Sequence, residues 1–289
     1  MTEQQKDTYK KILLQTMKDF IKFCEENNLK YIAAYGTVLG AVRHKGLIPW
    51  DDDIDVYMVR EDYNKFLSLK NKLINTSYEI IDHKDNDYYL PFAKFCNKHT
   101  TIWGVKELPF VMGVFIDIFP LDYVPNTKSE TNRLIHQFQK SWSNYYRCLI
   151  RPKYTTRIKT LEIRSLLADI YNNIYKPFKK IVYSHFLKIE QKLQEVKGTD
   201  YIRYTVSNYP ITRLIHPKSW IEDTIEVPFE NLYIKIPREY DKYLTNEFGN
   251  YMKLPPLEKR ISDHVYYFID LTRRMTINEI KSIKNNKNN

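Results

Sequence analysis

The stretch that most constrains the fold runs from Tyr35 to Tyr57 and reads YGTVLGAVRHKGLIPWDDDIDVY. It holds three of the chain's seven glycines within eleven positions, and four aspartates follow at Asp51, Asp52, Asp53 and Asp55. Glycine lets the backbone approach a phosphate closely, and clustered carboxylates supply the oxygen ligands that a divalent cation prefers. The block therefore predicts a metal–phosphate site built on a strand, a turn into a helix, and a second strand.

The aspartates at 53 and 55 enter a predicted strand, IDVYM. Because side chains alternate along a strand, Asp53 and Asp55 are expected on one face, where they can share Mg²⁺. Upstream, Gly36 and Thr37 are expected to hold phosphates, with Thr37 as the N-cap of the following helix. The alternative, a solvated acidic loop, does not explain the Gly-Thr turn.

The rest of the chain predicts a globular protein with a polar end. A helix is expected over about Glu3–Glu26, strands in YEIID, YLPFAKF and GVFIDIF, and helices over 128–196 with a break near 151–156 and a kink at Pro177. The last residues, KSIKNNKNN, are expected to be a frayed tail. The three cysteines form no metal or disulfide pattern, and no apolar run is long enough to span a bilayer. With no leader-like segment at the start, the expected location is the cytoplasm.

The net charge of +10 is concentrated in one segment. Residues 151–197 contain 11 Lys and Arg against 4 Asp and Glu, which suits nucleic acid, acidic lipid or an anionic substrate. The same segment carries an apolar stripe at helical spacing, made of Ile163, Leu166, Leu167, Ile170 and Ile174. We expect this stripe to pack on the rest of the protein; the alternative is a helix lying on an anionic membrane.

The block at Tyr35 resembles the LicD family of phosphocholine-type transferases, within the nucleotidyltransferase superfamily of polymerase-β-like fold. Two further blocks are similar to that family, GVFIDIFPLDYVP at Gly113–Pro125 and a looser one at Phe229–Pro256. The resemblance implies an α/β (α+β) fold, a mixed sheet flanked by helices with a helical insertion. The expected division is a catalytic core at 1–127, a basic helical insertion at 128–200, the rest of the core at 201–270, and a polar basic tail at 271–289.

The resemblance also implies a third metal carboxylate on a later strand, and Asp117 fits that position. An acid inside the apolar run VFIDIF is costly to bury without a cation or hydrogen-bond partner, so the residues agree with the implication. The alternative for Asp117 is a cap on a neighbouring backbone group. Asp122, after Pro120, is expected either to stabilise a turn or to act in the site.

The reaction implied by the resemblance is transfer of a phospho-alcohol group, most typically phosphocholine, from a CDP-activated donor. The acceptor is a hydroxyl of a cell-surface glycan, such as lipopolysaccharide, teichoic acid or capsule, or its lipid-linked precursor. CMP is released with Mg²⁺ (or Mn²⁺) as cofactor, and no nucleic acid takes part. Two alternatives are a nucleotidyltransferase releasing pyrophosphate and a non-enzymatic basic binding protein.

Several further residues are candidates for the site. Arg43 is expected to contact donor phosphate, with a salt bridge to Asp51–Asp53 as the alternative, and Lys94 is a second phosphate candidate. His44 is a candidate proton relay, and His264 matches a histidine of the family's C-terminal part. Trp50 and Trp103 are candidates for stacking on cytosine or facing a quaternary ammonium, or are core residues.

Overall fold

The chain folds around a mixed sheet of seven strands in a computed structural model that describes residues 1–150, 163–204, 215–262, 264 and 266–286. Its strands in chain order are Ile32–Ala33 (β1), Asp55–Val59 (β2), Tyr78–Ile81 (β3), Ala93–Asn97 (β4), Thr101–Trp103 (β5), Phe115–Tyr123 (β6), Tyr201–Arg203 (β7), Ile215–Pro217 (β8), Thr224–Phe229 (β9), Leu232–Pro237 (β10) and Phe268–Asp270 (β11). The sheet order is β1–β2–β6–β4–β3, with β7 beside the end of β6 and β8 beside β7. The pairs β9–β10 and β5–β11 form two small separate sheets.

Strand β6 is the central strand of the large sheet. It pairs in parallel with β2 and antiparallel with β4 and β7. Every residue of β6 except the last is buried, as expected for a strand covered on both faces. The mixed sheet flanked by helices confirms the expected fold class.

The helices are Glu3–Glu26 (α1), Tyr35–His44 (α2), Arg60–Ser68 (α3), Lys128–Leu149 (α4), Ile163–Tyr175 (α5), Lys179–Gln194 (α6), Lys218–Glu222 (α7), Tyr240–Phe248 (α8) and Ile277–Asn286 (α9). Helix α1 has the predicted bounds and begins with a capping box between Thr2 and Gln5. Its buried face includes Phe20, whose ring lies 5.6 Å from that of Phe95 on β4. This face anchors α1 on the sheet.

Helices α4 and α6 have an apolar cluster of their own, centred on Phe138, Trp142 and Phe186. The predicted kink at Pro177 is confirmed, because a 3-10 turn at Lys176–Phe178 separates α5 from α6. The predicted break near 151–156 lies outside the described residues.

The expected packing of the apolar stripe is wrong for most of its members. Ile163, Leu167, Ile170 and Ile174 are exposed on α5, and only Leu166 is half-buried. Helix α5 instead buries Asp169. Helical spacing identified the stripe correctly but could not show which side of α5 would meet α4.

The expected frayed tail is also wrong through residue 286. Helix α9 covers this part, and Ile280 is fully buried beside Trp103 and Met275. The side chain of Glu279 accepts hydrogen bonds from the backbone N–H and hydroxyl of Thr276, which fixes the start of the helix. One buried isoleucine in a polar sequence was too weak a signal to predict this docking.

Two further expectations can be checked in the described residues. Cys24, Cys96 and Cys148 are all buried free thiols, as expected, and burial raises the pKa of each. Among the described helices, none combines the length and apolar character that crossing a bilayer requires.

A buried ion network ties α3 to β6 and α6. The Arg60 guanidinium donates to both carboxylate oxygens of Asp122, at 2.7 and 2.8 Å, and to Glu190 at 3.3 Å. Glu190 in turn lies 3.3 Å from Nε2 of His83. The sequence allowed either a turn role or a site role for Asp122, and the structure makes it the partner of Arg60.

Replacing Arg60 by methionine is expected to lower the free energy of unfolding by about 3–5 kcal/mol, because two buried carboxylates lose their cation. Urea unfolding followed by circular dichroism measures this change. The matched control is Arg238→Met, which breaks the exposed pair with Asp223 and should change stability little. Equal effects of the two substitutions would contradict the network's role.

Candidate active site

A row of three charged residues across neighbouring strands forms the base of the site. In the sheet register, Asp117 of β6 is the Cα partner of Asp55 on β2 and of Lys94 on β4. Paired residues project from the same face of a sheet. Asp117 and Lys94 are buried and form an ion pair. The register thus brings together residues that lie 62 positions apart in the chain.

Asp53 completes a cluster of three carboxylates. Asp53 was expected on the same strand as Asp55. Strand β2 begins only at Asp55, so Asp53 lies in the preceding loop. One oxygen each from Asp53, Asp55 and Asp117 nevertheless lies within 4.8 Å of the others. Burial raises the pKa of Asp53 and Asp55 well above the usual range, and neighbouring carboxylates raise both further. This oxygen donor set fits a divalent cation.

The charge balance around the cluster supports the same conclusion. Five aspartates lie in or next to it, at positions 51, 52, 53, 55 and 117. Within the ranges that the structure describes, the cations that contact them are Lys94, on Asp117, and His264, beside Asp52 and Asp53. Carboxylates crowded in such excess repel one another, and a shared cation relieves this repulsion.

The turn at the start of α2 fixes the position of Asp55. Thr37 was expected to be the N-cap of α2, and this is wrong, because the helix begins at Tyr35 with Ala34 as its N-cap. The Thr37 hydroxyl instead accepts a hydrogen bond from the backbone N–H of Asp55 at 2.9 Å. The N–H of Ala34 donates to the carbonyl of Asp55 at 2.9 Å. The Thr37 side chain therefore fixes the position of one candidate metal ligand, Asp55.

Tyr35 adopts a strained backbone conformation in this turn. Its φ is +43°, in the left-handed region that is unfavourable for a non-glycine residue. The N–H of Tyr35 donates a hydrogen bond to the hydroxyl of Tyr243 at 2.9 Å. The ring of Tyr35 contacts Tyr57 and Phe119 edge-on. These contacts hold the strained turn in place.

Gly36 lies directly against Asp51. A Cβ added at this glycine would stand 2.8 Å from Oδ2 of Asp51, closer than side-chain packing allows. Asp51 in turn shares a hydrogen bond with Asp53, and burial raises its pKa. The absence of a side chain at Gly36 therefore keeps the carboxylates of the following loop close to α2.

His264 joins the site from the C-terminal part of the chain. Its Nδ1 lies 2.8 Å from Oδ1 of Asp52 and its Nε2 lies 3.6 Å from Asp53. The hydrogen bond with Asp52 raises the pKa of His264 to about 9, so the ring is cationic at neutral pH. The hydroxyl of Ser262 also donates to Asp52, at 2.8 Å. Ser262 was missed in the sequence, where an isolated serine gives no signal.

A basic and aromatic group lies beside the carboxylates. Arg43 donates to His44 Nε2 at 2.9 Å and to the carbonyl of Tyr251 at 2.7 Å. The guanidinium carbons of Arg43 and Arg260 lie 6.0 and 5.5 Å from the centre of the Trp50 ring. Burial and the charge of Arg260 lower the pKa of Arg43, and burial and Arg43 lower that of His44. Arg260 was not singled out from the sequence.

These contacts decide between some of the expected roles. In the described residues neither Arg43 nor Arg260 forms an ion pair, so the expected alternative of a salt bridge from Arg43 to Asp51–Asp53 is wrong. Two guanidiniums close to its ring make Trp50 unsuitable for a further quaternary ammonium. The phosphate contact of Arg43 stays a prediction.

A cavity of about 910 Å³ opens next to the carboxylates. Its wall combines charged groups of both signs with apolar and aromatic side chains, among them Lys10, His44, Trp50, Asp52, Arg260 and His264. Helix α1, the loop before β2, residues 260–262 and His264 all contribute. The cavity reaches Asp51 and Asp52 and so leads to the carboxylate cluster.

Trp103 and Lys94, two of the candidate site residues, do not line this cavity. Trp103 is buried with Met275 and Ile280, and its ring N–H donates to the carbonyls of Val105 and Leu108. It is therefore a core residue. Lys94 is directed at Asp117 and lies over the ring of Phe115 at 3.4 Å, so its first role is to neutralise Asp117.

Mg²⁺ is expected to raise the melting temperature of the wild type, and a saturating excess of about 100 times Kd is worth about 2.7 kcal/mol. In Asp53→Asn this gain should be lost, because one of three oxygen ligands is neutral. Without metal the same variant should melt at a higher temperature than the wild type, since like-charge repulsion is relieved.

Differential scanning fluorimetry with EDTA and with Mg²⁺ measures both effects. The control variant is Asp223→Asn, whose carboxylate is exposed and pairs with Arg238. An unchanged response to Mg²⁺ in Asp53→Asn would count against a shared metal.

The comparisons with known proteins agree with this geometry. Residues 28–165 match the family described as LicD/FKTN/FKRP, nucleotidyltransferase domain. The chain is 29% identical over 263 residues to the lipopolysaccharide cholinephosphotransferase LicD of Haemophilus influenzae, with 88% of this chain and 94% of that protein covered. It is also 39% identical over 84 residues to an uncharacterized protein of Rickettsia typhi, covering 29% of this chain and 26% of that one.

The matched range contains the turn at Gly36, the aspartates before and on β2, and Asp117 on β6. The resemblance drawn from the sequence blocks is thereby confirmed, and residues 28–165 of this chain match the nucleotidyltransferase domain of the LicD family.

Proposed function

We propose that the protein transfers phosphocholine from CDP-choline to a hydroxyl of a cell-surface glycan or its lipid-linked precursor, with release of CMP. The observation that carries this proposal is the convergence of Asp53, Asp55 and Asp117 beside the Gly36–Thr37 turn, inside a LicD-family domain. The similar Haemophilus protein is named a lipopolysaccharide cholinephosphotransferase, which supports the choice of transferred group and acceptor class. As part of the same proposal, the protein acts at the cytoplasmic side of the membrane, where it would meet a lipid-linked acceptor.

The metal in this proposal is Mg²⁺ or Mn²⁺, held by Asp53, Asp55 and Asp117. When bound, it supplies Lewis-acid stabilisation of the charge that builds on phosphoryl oxygens during transfer. Lys94 keeps Asp117 from adding a third uncompensated charge. Thr37 keeps Asp55 in register with Asp117.

In the transfer itself, the acceptor oxygen forms a bond to the phosphorus that bears choline, and the bond from this phosphorus to the oxygen of CMP breaks. The acceptor proton has to leave, and Asp117, whose pKa is raised by burial, is the group proposed to receive it. His264 is already protonated at neutral pH, so it is suited to attract phosphate and unsuited to act as base. Arg43 and Arg260 are the proposed contacts of the donor's diphosphate.

Product analysis tests the proposal. With CDP-choline, Mg²⁺ and a glycan acceptor, the wild type is expected to release CMP and to label the acceptor with choline, as followed by liquid chromatography and mass spectrometry. Asp117→Asn should lower the rate by about a hundredfold or more, since removal of one electrostatic group typically costs that much. Release of pyrophosphate from CTP, without choline transfer, would replace the proposal by the nucleotidyltransferase alternative.

Gly36→Ala is expected to separate activity from stability. A glycine-to-alanine change in a helix adds about 0.5–1 kcal/mol of stability, whereas the new methyl group displaces Asp51 and, through it, Asp53. We therefore expect CMP release to fall about tenfold or more, with an unchanged or higher melting temperature. Full activity in this variant would show that close packing of Asp51 on α2 is not needed.

A further inference from the structure

Helices α5 and α6 share an apolar face that is exposed in the part of the chain that the structure describes. We call the α5–α6 face the set of exposed side chains Ile163, Leu167, Ile170, Ile174, Phe178 and Ile181. Their spacing of three or four residues runs through the 3-10 turn at Lys176–Phe178 without interruption. Each of these side chains is between 48% and 69% exposed. Six large apolar side chains exposed in one stripe are unusual for a surface and mark an interaction site.

The other sides of the same helices are well packed. Helix α6 buries Phe186, Ile189 and Leu193 in the cluster that it shares with α4, and α5 buries Asp169. The helices are therefore held in place by contacts that do not use the exposed stripe. Exposure of the α5–α6 face is a property of the folded chain, and no helix has to unfold to present it.

The helices that carry this face are rich in basic residues, of which Lys179 is paired with Asp87. Between residues 163 and 188 the sequence contains five Lys and Arg and one acid, Asp169, which is buried. Lys180 and Lys188 are exposed on α6, and Lys188 follows Ile181 by two helical turns, which places it on the same side of the helix. An acidic partner surface is thus complementary to the face.

The rim of the face is also suited to a lipid interface. The ring of Tyr171 is half-exposed, and the guanidinium of Arg147 on α4 lies 5.6 Å from its centre. Tyrosine rings, and lysine or arginine side chains with long apolar stems, are favoured at the boundary between head groups and acyl chains. An amphipathic helix of this composition lies in the plane of the interface with its apolar side in the lipid.

We propose that the α5–α6 face docks the protein on an anionic lipid bilayer, with Ile163 to Ile181 entering the head-group boundary and Lys180 and Lys188 contacting lipid phosphates. This inference goes beyond the transfer reaction, and no substrate enters its test. If docking fails, the proposed reaction is not affected. If the reaction fails, the docking proposal is likewise not affected.

The test is flotation of the purified full chain with vesicles of phosphatidylcholine containing about 30% phosphatidylglycerol, beside vesicles of phosphatidylcholine alone. The wild type is expected to float with the anionic vesicles, and less so as salt screens the charges. Lys180→Glu/Lys188→Glu and, separately, Ile170→Ser/Ile174→Ser should each weaken binding by about tenfold or more.

The matched control is Ile74→Ser/Leu257→Ser, which removes two aliphatic side chains elsewhere on the surface that are more exposed than Ile170 and Ile174, and it should float like the wild type. Circular dichroism and melting temperature verify that all variants fold. Absence of wild-type flotation, or equal loss in the control, would overturn the proposal. So would a wild-type dimer in light scattering that Ile170→Ser/Ile174→Ser makes monomeric, because the face would then bind a second copy of the chain.

Discussion

The register between β2, β6 and β4 is the constraint on which the site depends. It sets Asp117 between Asp55 and Lys94 on one face of the sheet, and a shift by one residue would turn Asp117 to the other face. The fully buried strand β6 and the hydrogen bond from Asp55 to Thr37 resist such a shift. The strained turn at Tyr35 is held by the same neighbourhood, so strain and like-charge repulsion are both concentrated where the chemistry is proposed.

The protein contains two ionic assemblies with opposite charge balances, one buried and one half-buried. In the first, Arg60 is matched by Asp122 and Glu190, and every oxygen of Asp122 has a donor. In the second, Asp53, Asp55 and Asp117 meet with only Lys94 and His264 opposite them among the described residues. A matched assembly serves the fold, whereas crowded carboxylates repel one another until a cation or a bound proton offsets their charge. Charge balance therefore distinguishes Asp122, which is matched by Arg60, from the aspartates proposed to bind metal.

Helices α4, α5 and α6 differ from the sheet in their packing and in their surface. Their apolar cluster is largely separate from the main core, and their outer face is apolar and basic instead of acidic. The two proposals thus assign different ligands to the two regions, a metal with phosphate to the carboxylates and a lipid surface to the α5–α6 face. If the acceptor is lipid-linked, as proposed, docking on a bilayer would bring the carboxylates to it, and this is how the two proposals fit together.

The sequence by itself determined the local features: the long helix at Glu3–Glu26, the strands around Asp55 and Asp117, the kink at Pro177, and the three aspartates that converge. These follow from periodicity, turn residues and family blocks, which are properties of short segments. Only the tertiary structure decided the partners of Lys94 and Asp122, the approach of His264 and Arg260 to the site, the docking of α9, and the exposure of the stripe on α5. Each of these depends on which distant surface a segment meets, and burial, register and charge pairing between distant segments leave no periodic mark in the sequence.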